Sequence, residues 1–185
     1  MAHGVMDSPS PVCHQPSAMT MKHLWSPWRL SYVTGAGGGD PACVFCDALT
    51  AEQHELVLSR GRFCYAILNL YPYNGGHLMV VLNRHVGTLA ATTPDERTEL
   101  MQLTRRAEIA LTEAYTPQGI NIGVNIGRPA GAGVLDHLHV HLVPRWNGDT
   151  NFMTVIGDTR VLPEDLNSTA KRLRPIFERL AAAEA

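Results

Sequence analysis

A chain of 185 residues, 45% hydrophobic and with a formal net charge of −2, is long enough to bury a core and reads as one domain. No basic run suggests a nucleic-acid groove, and no stretch approaches the ~20 apolar residues that a membrane helix needs. The start does not resemble a secretory signal and four cysteines at this length do not resemble a disulfide scaffold, so the expected compartment is the cytoplasm.

In chain order, residues 1–20 are poor in aliphatics and carry Pro9, Pro11 and Pro16, which predicts a disordered extension; residues 21–185 are expected to form the single domain. Residues 23–30, with Trp25 and Trp28, read as a packed irregular segment, and Gly35 to Asp40 as a turn leading into Cys43-Val44-Phe45-Cys46. Two strands follow at residues 55–59 and 63–68, then a loop ending in Asn74-Gly75-Gly76, then a nearly continuous apolar strand at residues 77–82. The clearest helix opens with Thr93 as N-cap, Pro94 at N1 and Glu96 completing a capping box. Leu100, Leu103, Ala107, Leu111 and Ala114 give it one apolar face until Tyr115-Thr116-Pro117. Residues 119–126 alternate, with Ile120, Ile122, Val124 and Ile126 on one face and Asn121, Gly123 and Asn125 on the other. A Gly/Ala-rich loop at residues 127–133 follows, and residues 163–183 read as a C-terminal helix interrupted by Pro175. The sum is an α+β fold: an antiparallel sheet of about five strands with one long helix and a C-terminal helix.

The most informative segment is Asp136-His137-Leu138-His139-Val140-His141-Leu142-Val143-Pro144-Arg145. A period of two puts His137, His139 and His141 on one strand face and the aliphatics on the other. At ~3.3 Å per residue the outer histidines stand ~13 Å apart, so all three reach one metal only around a sharp bend. The spacing suits separate tasks along one ligand: ion binding, nucleophilic attack and proton delivery. The competing readings are a half-exposed strand face and a His-x-His metal strand.

Cys43-x-x-Cys46 has the spacing of half a tetrahedral zinc site, or of two buried reduced cysteines. Cys13 and Cys64 are poor partners, so histidines would have to complete a site. Tyr71, Tyr73 and Trp146 read as packing, Arg145 as a phosphate contact or a strand cap, and His54 and His77 as ordinary.

The triad, together with LWSPWR, LNLYPYNGGHLMVV and DHLHVHLVPRWNGDTNF, resembles the histidine triad (HIT) superfamily of nucleotide hydrolases and transferases. The longer strings resemble its bacterial branch related to diadenosine tetraphosphate (Ap4A) phosphorylase, and the likeness runs from about Lys22 to Arg160. The resemblance implies a HIT-like fold and a nucleotide substrate of the Ap4A kind. It makes His139 the nucleophile that forms a nucleotidyl-histidine, with water or phosphate as acceptor, and His141 the group that binds phosphate and protonates the leaving group. It further implies that Asn69 binds ribose hydroxyls, that Asn125 contacts phosphate, and that loop amides, including those of Gly131 and Gly133, stabilise phosphate oxygens. A structural zinc would be held by Cys43, Cys46, His85 and His137, and the protein would pair as a homodimer through the long helix and its neighbouring strand. Hydrolysis of nucleoside phosphoramidates or AMP conjugates, transfer of nucleotide between sugar phosphates, and a nucleotide-binding regulatory role are the alternatives. One departure stands out: Gly131-Ala132-Gly133-Val134 replaces a string that carries Gln in many members, which leans towards phosphate as acceptor.

Overall fold

The computed structural model describes residues 43–149 and 163–184. The expected extension at residues 1–20, the segment at residues 23–30, the Gly35 to Asp40 turn, and Asn151 and Phe152 of the longest matching string lie outside the described residues.

Strands β1 (Val57–Arg60), β2 (Cys64–Leu68), β3 (Leu78–Leu82), β4 (Gly119–Val124) and β5 (His139–Arg145) form one antiparallel sheet in the order β1-β2-β3-β5-β4. Helices α1 (Val44–Thr50), α2 (Pro94–Tyr115) and α3 (Leu166–Ala183) cover it. Because β5 lies between β3 and β4, its side chains have neighbours on both sides. Period-two alternation then divides the residues between two cores. On one face Ala66, Leu68, Leu78, Val80, Leu82, Val140 and Leu142 pack with Leu103, Ala107 and Leu111 of α2 and Leu173 and Phe177 of α3. On the other, Tyr65, Ile67, Met79 and Val81 pack with Phe45 and Ala48 of α1. The register Val81↔His139 and Met79↔His141 places both histidines on this second face, away from the two long helices.

Helix α2 begins as its sequence predicts. The Glu96 amide donates to Thr93 Oγ1 at 3.2 Å and the Thr93 amide donates to Glu96 Oε2 at 2.7 Å, satisfying two of the donors that a helix start leaves open. Helix α3 departs from expectation, running unbroken through Pro175. Proline forfeits one helical hydrogen bond, but Thr169, Ala170, Leu173 and Phe177 are buried on both sides of it and hold the helix to the core. A second difference is α1, a helix for which no element was expected. Seven residues with only Phe45 and Ala48 buried are too few to display a helical period. β4 also ends at Val124, two residues before the alternation does. No helix among the described residues is long and apolar enough to cross a membrane.

Candidate active site

Three backbone groups decide where the protons of this site reside. A carbonyl can only accept and an amide can only donate, so each fixes the tautomer of the imidazole it meets. His137, fully buried just before β5, has Nε2 2.7 Å from the Leu82 carbonyl. That nitrogen therefore donates, and the Nδ1 lone pair faces Cys43 Sγ at 3.2 Å and Cys46 Sγ at 3.7 Å. His85 Nδ1 lies 3.4 Å from Cys46 Sγ, and the ligand atoms of all four residues fall within 4.8 Å of one another. Cys43 is the N-cap of α1 and Cys46 lies in its first turn, so the short helix supplies both thiols. The Tyr65 hydroxyl donates to the Phe45 carbonyl at 2.7 Å, anchoring α1 on the sheet. Burial, followed by the neighbouring Cys43, pushes the Cys46 thiol up. Two crowded thiols and two imidazole lone pairs are a donor set whose repulsion a cation relieves.

His139 is 4% exposed, and its Nδ1 lies 2.7 Å from the His137 carbonyl. Nδ1 therefore carries the proton and Nε2 keeps its lone pair. Burial holds this imidazole below the usual histidine range, so it is neutral near pH 7. The ring packs between Phe45, at a centroid distance of 4.9 Å, and His141, at 4.8 Å.

His141 is set by a residue that the sequence did not single out. The Tyr73 amide donates to His77 Nδ1 at 3.1 Å, so His77 carries its proton on Nε2. That Nε2 lies 3.0 Å from His141 Nδ1, which must accept; His141 in turn carries its proton on Nε2. The site thus offers a lone pair on His139 and an N–H on His141, side by side. His77 was read as ordinary, yet it is 1% exposed at the head of a wholly buried strand. A buried imidazole needs partners, and that was the available signal.

Gly123 pairs directly across from His141, and a Cβ there would meet nothing within 4 Å, so the strand leaves open floor beside the imidazole. Asn69 borders the same region: Oδ1 accepts from the Tyr71 amide at 2.9 Å and Nδ2 lies 3.4 Å from the nitrogens of His77. Asn125 donates to the Gly131 carbonyl at 3.4 Å, bringing its strand end to the Gly-rich loop. That loop closes on itself, with the Gly131 amide donating to Arg128 at 2.9 Å and the Ala130 and Ala132 amides donating to Gly127 at 3.2 and 3.3 Å. Gly127 at φ 83° and Gly131 at φ 88° make the two left-handed turns this requires. Arg145 is a strand cap: Nε and Nη2 reach Asp149 at 2.6 and 2.8 Å, and Nη1 reaches Asn121 at 3.0 Å.

The HIT domain family matches residues 50–148. An AP-4-A phosphorylase of Mycobacterium tuberculosis is 42% identical over 161 residues, 83% of each chain. A Zn-bound histidine triad family protein from Mycobacterium smegmatis superposes with TM-score 0.63 at 26% identity, over 78% of this chain and 99% of its own. A hypothetical histidine triad nucleotide-binding protein from Sulfolobus tokodaii gives TM-score 0.62 at 28% identity, over 75% of this chain and 93% of its own. With more than half its length matched and a relative this similar over most of it, the chain belongs to the HIT domain family.

Proposed function

We propose that this protein transfers an adenylyl group from dinucleoside polyphosphates of the Ap4A kind, through a nucleotidyl intermediate on His139. The observation that carries the reading is the pair of opposed tautomers, an Nε2 lone pair on His139 beside an Nε2 proton on His141. The His139 lone pair attacks the α-phosphorus and forms a P–N bond. The bridging P–O bond breaks, and its electron pair leaves with the departing polyphosphate oxygen, which takes the His141 proton. An acceptor oxygen then displaces His139 and restores the imidazole. Asn69 and Asn125 hold ribose and phosphate in this scheme. Among the loop amides, Gly133 is the better placed for phosphate oxygens, because Gly131 already donates to Arg128.

Inorganic phosphate is the preferred acceptor. Gly133 and Val134 leave the site without the amide side chain that other HIT proteins carry, and the similar M. tuberculosis protein is a phosphorylase. Ap4A with phosphate should then yield ATP and ADP, and omitting phosphate should slow turnover sharply. AMP and ATP at a rate indifferent to phosphate would make water the acceptor.

Cys43, Cys46, His85 and His137 suit zinc, with two thiolates and two imidazole Nδ1 atoms and all four positions supplied by protein. Zinc bound there contributes folding energy and ties α1 to the strand carrying the triad; it has no open position for chemistry. Elemental analysis should find about one zinc per chain, as a single tetrahedral site requires, and Cys43→Ser should lower the melting temperature. Metal-free protein whose melting is unchanged by that substitution would rule the site out. Reduced thiols of this kind suit the cytoplasm. The partner surface is the outer edge of β4, where a second copy would continue the sheet.

A further inference from the structure

The string Pro144-Arg145-Trp146-Asn147-Gly148-Asp149 follows the triad, and no step of the reaction uses it. Its last residue is nevertheless tightly held. Asp149 accepts from Arg145 Nε at 2.6 Å and Nη2 at 2.8 Å, from the Trp146 amide at 3.2 Å, and from Asn74 Nδ2 at 2.8 Å. The Arg145 guanidinium, above all, holds this carboxyl well below the usual range, so it is ionised throughout. Asn74 lies in the loop between β2 and β3, 75 residues away in the chain. Its Nδ2 also donates to the Pro144 carbonyl at 3.0 Å, and its own carbonyl accepts from the His77 amide at 3.1 Å.

Asn74 therefore joins the exit of β5 to the backbone of His77. Its chain neighbour Tyr73 supplies the amide that fixes His77 Nδ1, and the Tyr73 ring lies 4.6 Å from the His77 ring. The two tautomers of a neutral imidazole differ little in energy unless a neighbour selects one. The selecting group here is a loop amide, and a loop amide is only as fixed as its loop. Asn74 and Asp149 tie this loop to the end of β5 beside the local bonds that Asn69 makes to Tyr71 and His77.

We propose that Asn74 and Asp149 are positioning residues for proton delivery: by holding the Tyr73 amide they keep the His77–His141 pair in the tautomers that present a proton at His141 Nε2. The proposal rests on the adenylyl-transfer reading, and the test separates the two. Asn74→Ala and Asp149→Ala are each compared with the unmutated protein, in two measurements. Long-range proton–nitrogen correlation spectra of histidine-labelled protein report the tautomers without substrate. Turnover of Ap4A in the presence of phosphate reports kcat and KM. We expect His77 and His141 to move to mixed tautomers, with kcat falling on the order of tenfold, a fraction of what general acid catalysis supplies, and KM nearly unchanged. Tautomers that stay fixed in folded variants overturn the proposal, as does a tautomer change that leaves kcat intact. If Asp149→Ala unfolds the domain, Asn74→Ala retains the Arg145–Asp149 pair and decides the matter. No turnover by the unmutated protein would instead sink the adenylyl-transfer reading, and the spectra would still report whether Asn74 and Asp149 set the tautomers.

Discussion

At the scale of single residues, the two proposed reacting histidines of the triad differ in what their loss should do. In the proposed reaction His139 forms the covalent bond, so His139→Asn should bind Ap4A with little change in affinity and show no turnover. In the same scheme His141 would supply a proton that water can supply less well, so His141→Asn should slow turnover by roughly 10²–10⁴-fold without eliminating it. Appreciable turnover by the His139 variant would discard the covalent route. A third substitution tests the space rather than the chemistry. Gly123 lies opposite His141 with nothing near its missing Cβ, so Gly123→Val should fold and bind nucleotide poorly, raising KM. The shared face of His139 and His141 was legible because strict alternation carries that geometry in the sequence. The triad's tautomers were not legible, because they depend on the carbonyls of Leu82 and His137 and the amide of Tyr73, whose directions only the fold sets.

At the scale of elements, α2 was readable from Thr93 to Tyr115 because capping residues and an apolar period of 3.6 are both local signals. Its Glu96 does more than cap. Arg84 donates to it through Nε and Nη2, both at 2.8 Å, linking the helix start to the chain just after β3. Those bonds first, and the Thr93 amide next, lower the Glu96 carboxyl from 4.5 to about 2. A carboxyl depressed on folding contributes stability that is complete above its unfolded value and is lost as pH falls towards its folded one. Stability from this contact should therefore decline between about pH 4.5 and about pH 2. Glu96→Gln should flatten that part of the curve in denaturant titrations at successive pH values; an unchanged slope would refute the linkage. Thr93→Ala, which removes the other half of the box, should cost about 1 kcal/mol at neutral pH. The short helix α1 shows the converse case. It is anchored by Tyr65 and carries two members of the four-residue cluster, contacts that are not local in sequence, and its seven residues are too few to show a helical period.

At the scale of the whole molecule, the two edges of the sheet are treated differently, and that difference predicts assembly. An open strand edge invites pairing unless charge, proline, a bulge or covering chain blunts it. The β1 edge is blunted: four residues long, it contains an irregularity between Val57 and Ser59, and Arg174 donates to the Val57 carbonyl at 3.0 Å. Among the described residues the β4 edge shows none of these devices. Gly-Ile-Asn-Ile-Gly-Val carries no charge and no proline, pairs with β5 alone among the described strands, and leaves Ile122 47% exposed, with Ile126 just beyond it at 44%. The resemblance implied pairing through the long helix and its neighbouring strand, with the Leu100–Ala114 face either serving that contact or consumed by the chain's own core; Leu100, Leu103, Ala107 and Leu111 are buried in that core. The proposed dimer would continue the sheet through β4, two copies meeting antiparallel across a two-fold axis with Ile122 near its centre. A stable interface of this kind buries on the order of 1,200–2,000 Å² in total, more than one six-residue strand supplies, so the neighbouring surface of α2 must take part. Sedimentation at micromolar concentration should give a dimer, and Ile122→Asp should give a folded monomer that retains its melting cooperativity. A wild-type chain that sediments only as monomer would leave the β4 edge without its partner and this account of the open strand wrong.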